Sequence, residues 1–199
     1  MSKTKKNIRK LTLEELTEQM TLIGEKPFRA KQVYDWLWIK TAHTFDDMTN
    51  LSLELREKLN ENFTIHAVEI ADKQISADRT IKCAFKLHDG LVAEGVLIPT
   101  TKRMTACISS QVGCSLTCKF CATGKLKRVR NIDADEIYDQ VALIKEQAEK
   151  EYNQNLTNIV YMGMGEPLLN YNNVIQSIDK ITSEKGLGMS PKRITVSTA

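Results

Sequence analysis

No stretch of the 199-residue chain approaches the ~18 consecutive apolar residues that a membrane-crossing helix needs. The opening, Met-Ser-Lys-Thr-Lys-Lys, has no apolar segment of the kind a secretory signal carries, so neither export nor a membrane partner is expected. Repeats and low-complexity segments are missing too, which argues against a solenoid or a disordered tract. Cysteines are few, five in all with three bunched together. Such a set does not resemble a secreted disulfide framework, and a reducing cytoplasm is the expected compartment. Acidic residues are absent between Lys119 and Arg130, a span that holds Lys119, Lys125, Lys127, Arg128 and Arg130. The modest net charge of +3 therefore hides an uneven distribution, because Lys3, Lys5, Lys6, Arg9 and Lys10 also crowd the first ten residues. The N-terminal run reads as a solvated face. The second follows the bunched cysteines, where a solvated face and a seat for an anionic partner are equally reasonable.

What is present is ordinary in bulk: 42% apolar and 27% charged residues, enough chain for one full domain and a small one. The bunched cysteines are the exception. Cys114, Cys118 and Cys121 stand at C-x3-C-x2-C and supply three thiolates to a 4Fe-4S cube, leaving one iron free for an exogenous ligand. Iron–sulfur clusters otherwise take four protein ligands, and structural zinc closes its tetrahedron with four as well. The natural ligand for the open iron is S-adenosyl-L-methionine, through its amino and carboxylate groups. Zinc stays open as an alternative, because Cys107 lies seven residues upstream and would complete a set of four. That set would be crowded, since zinc modules usually pair their cysteines across a longer loop. Inert core thiols are the third reading.

Along the chain, residues 1–65 read as a helical accessory unit. Thr12 with Glu15 forms a capping box ahead of Leu13, Leu16, Met20 and Ile23, and Gly24 ends that helix. Helices over 28–40 and 53–63 follow, the latter capped by Ser52, and Trp36 and Trp38 are expected to pack rather than to stack on bases. Residues 66–102 form a β-hairpin region, with strands expected over 64–70, 80–87 and 91–98 and a tight turn at Asp89-Gly90. Cys83 shares a face with Ile81, Phe85 and Leu87 and is read as a buried thiol. Glu94 shares a face with Val92, Val96 and Ile98, where a carboxylate is out of place. It lies either on a watery sheet edge or in a functional site. From residue 103 the rhythm becomes strand, loop, helix: strands over 104–109, 158–162 and 193–198, helices over 133–150 and 172–184. The fold class is therefore α/β, a partial parallel barrel of three β/α units. Ligands in such folds gather at the strands' carboxyl ends. A half-barrel leaves an edge and apolar helix faces uncovered, so the chain is expected to be the N-terminal part of a longer protein.

Three segments carry a specific resemblance. Residues Ala106 to Cys114, the run Cys121-Ala122-Thr123-Gly124, and Tyr161-Met162-Gly163-Met164-Gly165-Glu166-Pro167-Leu168-Leu169-Asn170 closely resemble the radical S-adenosylmethionine methyltransferases that act on C2 of an adenine. Gly24 to Gln32 is similar to that family's helical accessory domain. The resemblance spans the whole chain. It implies a 4Fe-4S cluster on Cys114, Cys118 and Cys121, and S-adenosylmethionine held by Gly165, Glu166 and Ser197. The implied substrates are one adenine of 23S rRNA and adenine 37 of certain tRNA species, with an electron donor such as flavodoxin. It further implies that a radical drawn from S-adenosylmethionine activates a methyl group on a carrier cysteine of the C-terminal region. Glu94 then accepts the C2 proton, and Cys107 attacks the carrier sulfur to form a disulfide and release the product. Related enzymes methylate C8 of the same rRNA adenine and typically carry Ala after Gly-Glu, where this chain has Pro167. A C8-directed enzyme and a non-catalytic iron–sulfur or zinc RNA-binding module are the alternatives.

Overall fold

A computed structural model describes residues 5–199. The chain begins with β1 (Lys6–Asn7) and a single 3-10 turn, then α1 (Leu13–Leu22), α2 (Phe28–Trp38) and α3 (Leu53–Asn62). The α1 capping box forms as its sequence requires: Thr12 Oγ1 accepts from the Glu15 amide at 3.1 Å and Glu15 Oε2 from the Thr12 amide at 2.8 Å. Ser52 caps α3 by accepting from the Leu55 amide. After α3, β2 (Phe63–Thr64) pairs in parallel with β1 and closes the helical unit.

The rest is one mixed sheet with helices on one face. Its strands are β3 (Glu69–Ile75), β4 (Ile81–Lys86), β5 (Val92–Pro99), β6 (Met104–Cys107), then β9 (Asn158–Tyr161) and β10 (Ile194–Val196). A two-stranded ribbon, β7 (Gln111–Val112) with β8 (Arg130–Asn131), stands apart and pinches the cysteine loop at its neck. Two helices, α4 (Ala134–Tyr152) and α5 (Tyr171–Thr182), connect the parallel strands. The sheet order is β10-β9-β6-β5-β4-β3, with β6, β9 and β10 parallel and the remaining pairs antiparallel. No barrel closes among the described residues. The sheet is an open arc whose parallel part holds two complete β/α units and a third strand, rather than the three units expected, widened by the β3–β5 meander.

Burial assigns the two faces. Ala93 and Leu97 of β5, Met104 and Ala106 of β6, and Ile159 and Tyr161 of β9 are buried with Ile137, Val141 and Ile144 of α4. The alternate residues line the opposite, open face. Cys83 falls on the helix side and is fully buried, as its strand pattern requires. Burial pushes its thiol up to about 11.

Two expectations change. The strand expected over 64–70 is instead the short β2 followed by β3, which runs on through Asp72, Lys73 and Gln74. β3 is the outermost strand, with nearly every residue facing water, so it carries no alternating apolar signal and takes its register from β4. The N-terminal basic run is not simply solvated either. Arg9 is buried, its Nη1 2.6 Å from Asp139 Oδ1, with its guanidinium over the Trp38 ring at 4.6 Å. Lys10 pairs with Asp133 at 2.7 Å, and Lys3 lies outside the described residues. Trp38 is buried against Tyr138, while half-buried Trp36 lies under Lys40.

Candidate active site at the carboxyl ends of the parallel strands

The loops after β6, β9 and β10 converge on one cavity of about 480 Å³. Cys114, Cys118 and Cys121 line one wall, Gly163, Gly165 and Glu166 another, and Ser197, Thr198 and Ala199 a third. The site is thus built from three separate β/α loops at the end of the sheet where such folds collect ligands.

The cysteine loop is anchored by its neck. Gly113 turns into it at φ +75, where a Cβ would stand 2.1 Å from the Lys127 carbonyl, so only glycine lets the two arms meet. Amides then point at sulfur: the Leu116 N–H donates to Cys114 Sγ at 3.4 Å. Backbone donation from Gly124 and Thr123 lowers the Cys121 thiol below its ordinary value. Thiols cradled by backbone donors suit cluster ligation, because hydrogen bonds to sulfur stabilise the thiolate and tune the cluster. In this structure the three thiols share the wall without closing round one point. Among the described residues no three Cys, His, Asp or Glu side chains are arranged to hold a single ion. Three thiols on one wall of the cavity are the donor set that three-point ligation of a cluster requires.

Across the cavity, Gly165 sits at φ +94, and a Cβ there would come within 2.4 Å of Gln111 Cβ. The loop therefore lies flat against Gln111 at the start of β7 and presents Glu166, which is buried. Burial alone would raise this carboxyl. The Leu168 amide at 3.0 Å, the Thr198 hydroxyl and the Ala199 amide at 3.0 Å outweigh it, and the group is held below the ordinary carboxylate range. Glu166 is thus a fixed anion facing the cavity, with lone pairs left for a cationic amine.

Glu94 and Cys107 lie on the open face of the sheet and are not among the residues that line the cavity. Cys107 lies opposite Val96 in the β5–β6 ladder, and Glu94 is two residues further along β5 on the same face. β5 is an interior strand, so the sheet-edge reading of Glu94 is corrected. Its carboxylate is half-exposed on the open face, 2.7 Å from Lys82 Nζ. Burial raises the Cys107 thiol, partly countered by the Met162 backbone. All five cysteines are free thiols. The second basic run divides. Arg130 is committed to Glu136 at 2.7 and 2.9 Å and to Asp89 at 2.6 Å, whereas Lys119, Lys125 and Lys127 stay exposed.

Sequence reasoning missed a set of buried polar residues that lace the loops together. Gln111 Oε1 accepts from the Glu166 amide at 3.0 Å, and Asn170 Nδ2 donates to the carbonyls of Ser110 and Ile132 at 2.8 Å. The available signal was the polar run Ser109-Ser110-Gln111 straight after a strand. A larger cavity, about 630 Å³, lies between the helical unit and α4/α5. Its lining charges cancel, Arg9, Lys10 and Lys180 against Asp133, Asp135 and Asp179, and no part of the chemistry above falls there.

An open α/β sheet with a three-thiol loop after its first parallel strand and a Gly-Glu loop after its second defines a class that comparison makes specific. Residues 108–199 match the radical SAM superfamily and residues 6–65 the ribosomal RNA large subunit methyltransferase N-terminal domain. The probable dual-specificity RNA methyltransferase RlmN of Cytophaga hutchinsonii is 63% identical over 98% of this chain and 53% of its own length. That of Christiangramia forsetii is 59% identical over 98% and 55%. A radical SAM methyltransferase structure from Sphaerobacter thermophilus superposes with a TM-score of 0.86 at 37% identity, over 97% of this chain and 57% of that one. The chain belongs to the radical SAM superfamily and, within it, to the RlmN family of RNA methyltransferases. It spans about half the length of the relatives it matches.

Proposed function

We propose that this chain carries the cofactor-binding part of an enzyme that methylates C2 of adenine in 23S rRNA and in tRNA. The observation that supports this most directly is the single cavity shared by the three-cysteine loop, the Gly165-Glu166 loop and Ser197. Cys114, Cys118 and Cys121 would hold a 4Fe-4S cluster, which with S-adenosylmethionine supplies the one-electron chemistry that an unreactive C–H carbon requires. Glu166, kept ionised by its three donors, would take the ammonium of S-adenosylmethionine, Gly165 would let backbone approach it, and Ser197 would contact its ribose or carboxylate. Glu94 would accept the C2 proton. Cys107 would release the product by forming a disulfide with a methyl-carrying cysteine supplied from outside this chain. Lys82 Nζ lies 2.7 Å from the Glu94 carboxylate on the open face. Pro167 after Gly-Glu supports C2 over C8. The division into a helical unit (1–65), a hairpin region (66–102) and a barrel part (103–199), the reducing cytoplasm and a flavodoxin-like electron donor belong to the same reading.

Two measurements test it. Anaerobic reconstitution should give about one 4Fe-4S cluster per chain and lose it on changing Cys114, Cys118 or Cys121 to Ala. One bound zinc without iron would overturn the assignment. The complete natural protein, given 23S rRNA fragments and tRNA, should yield adenine methylated at C2 by mass spectrometry, whereas a C8 product would point to the sister reaction.

A further inference from the structure

The proposed function gives no task to Ser109, yet among the described residues its side chain bonds to both the Glu94 strand and the Gly163–Glu166 loop. Ser109 is fully buried. Its hydroxyl donates to the Glu94 carbonyl at 2.5 Å and accepts from the Met164 amide at 2.8 Å. The first contact holds the strand that carries the half-exposed carboxylate. The second holds the loop whose next two residues are Gly165 and Glu166. Ladder geometry explains the need. β5 and β6 pair from Pro99↔Met104 to Val96↔Cys107, and the pairing then stops. Continued by two steps, it would set Glu94 opposite Ser109. There the Ser109 backbone is already engaged: its amide donates to Gln140 Oε1 at 2.9 Å and its carbonyl accepts from Gln140 Nε2 at 3.1 Å. With the main chain drawn toward α4, the hydroxyl takes over as partner of the Glu94 carbonyl. Gln140 is itself fully buried, so the clamp is shielded from water.

We infer that Ser109, held by Gln140, is a positioning residue that fixes the Glu94 strand against the Gly163–Glu166 loop, so that the proton acceptor and the S-adenosylmethionine seat keep one register. The inference rests on the roles proposed above for Glu94 and Glu166. It adds that the Ser109 hydroxyl couples the two directly, beside the backbone bonds that run from Gly163 to Ile108 and from Ser110 to Met164.

The test uses the complete natural protein and four variants: Ser109→Ala, Gln140→Met, Glu94→Gln and Glu166→Gln. A fifth, Thr157→Val, is the matched control. Thr157 Oγ1 bonds both the amide and the carbonyl of Met104 at 3.0 and 3.1 Å, lacing β6 to β9 at the end remote from the site. Three readouts are taken: exchange of the Met164 amide without cofactor, S-adenosylmethionine affinity by equilibrium binding, and the rate of RNA release in a single turnover. Ser109→Ala should expose the Met164 amide to exchange, and should weaken affinity and slow release by about tenfold each, the scale of a lost buried hydrogen bond. Gln140→Met, which frees the same serine without touching the cavity, should reproduce the pattern and covers the case of a Ser109→Ala protein that does not fold. Thr157→Val should lower thermal stability and move neither affinity nor release. Ser109→Ala with both functions at wild-type values, a change in only one of them, or an equal change in Thr157→Val would refute the coupling. The remaining two variants separate this failure from failure of the underlying roles. If Glu94→Gln releases RNA normally and Glu166→Gln binds S-adenosylmethionine normally, the proposed roles themselves fall.

Discussion

At the scale of single residues the site divides by how each group is charged. Glu166 is fixed as an anion by three donors, while Cys107 is held as a neutral thiol by burial. A raised thiol pKa means that the attacking thiolate is scarce at neutral pH and grows as pH rises toward that value. Product release through Cys107 should therefore accelerate by ~tenfold per pH unit above neutrality, levelling only in the alkaline range. A single-turnover pH series checks this, and a flat profile would mean that another group releases the product. Cys107→Ala in the complete protein should leave cluster assembly and S-adenosylmethionine cleavage intact but trap RNA covalently on the carrier. Radiolabelled RNA on a denaturing gel reads the adduct, and free methylated RNA at the normal rate would sink the assignment. Glu94→Gln should slow release by ~10²–10⁴-fold if the group is the general base.

At the scale of elements, the start of α4 ties the cysteine loop's exit to the β4–β5 hairpin. Glu136, fully buried, accepts a forked contact from Arg130, the Asp133 amide at 3.0 Å, and a contact with His88 Nδ1 at 2.7 Å. Burial alone would raise its pKa, but these partners outweigh it and hold it below the ordinary value. A carboxyl depressed in the folded state adds stability that is present above its unfolded pKa of ~4.3 and lost as pH falls through the folded value. Arg130→Met reverses the sign, leaving a buried carboxylate with only the Asp133 amide and His88 to answer it, at about 3 kcal/mol. Urea unfolding should show that variant far weaker than wild type at pH 7 and closer to it at pH 4. The exposed arm of the same loop makes a different prediction. Charge reversal at Lys127 and Arg128 should weaken RNA affinity and lower its salt slope by roughly one unit per lost phosphate contact, and an unchanged slope would show the arm to be merely solvated. What the sequence revealed of these elements follows their range. Cys114 to Cys121 and Gly163 to Pro167 are local patterns, as are the Thr12 and Ser52 caps, and all were legible. Ser109, Gln111 and Asn170 act through partners 15 to 60 residues away, and such pairing leaves no local signature. β3 was misplaced because a water-facing edge strand has no apolar rhythm to read, and Arg130 looked free because Glu136 and Asp89 approach it only in the fold.

For the whole molecule, the helical unit and the sheet meet across a buried pair. Burial alone would lower the Arg9 pKa, but Asp139 and Asp135 more than offset this and raise it, while Asp139 also accepts from the Val68 amide at 3.1 Å. Arg9→Met should cost about 3–5 kcal/mol by stranding Asp139, and Arg9→Met with Asp139→Leu should recover much of it. Denaturant unfolding of the chain measures both, and a single-variant cost under ~1 kcal/mol would show the pair to be dispensable. The antiparallel pairing of β5 with β6 has a wider consequence. The segment that matches the superfamily begins at Ile108, immediately after Cys107. Every residue proposed to hold cluster or S-adenosylmethionine lies inside it, and the two proposed to finish the reaction on RNA lie just outside. Because β6 pairs antiparallel with β5 on one side and parallel with β9 on the other, Cys107 stands on the one strand common to the hairpin and the parallel part, and a shift of either is felt at that thiol.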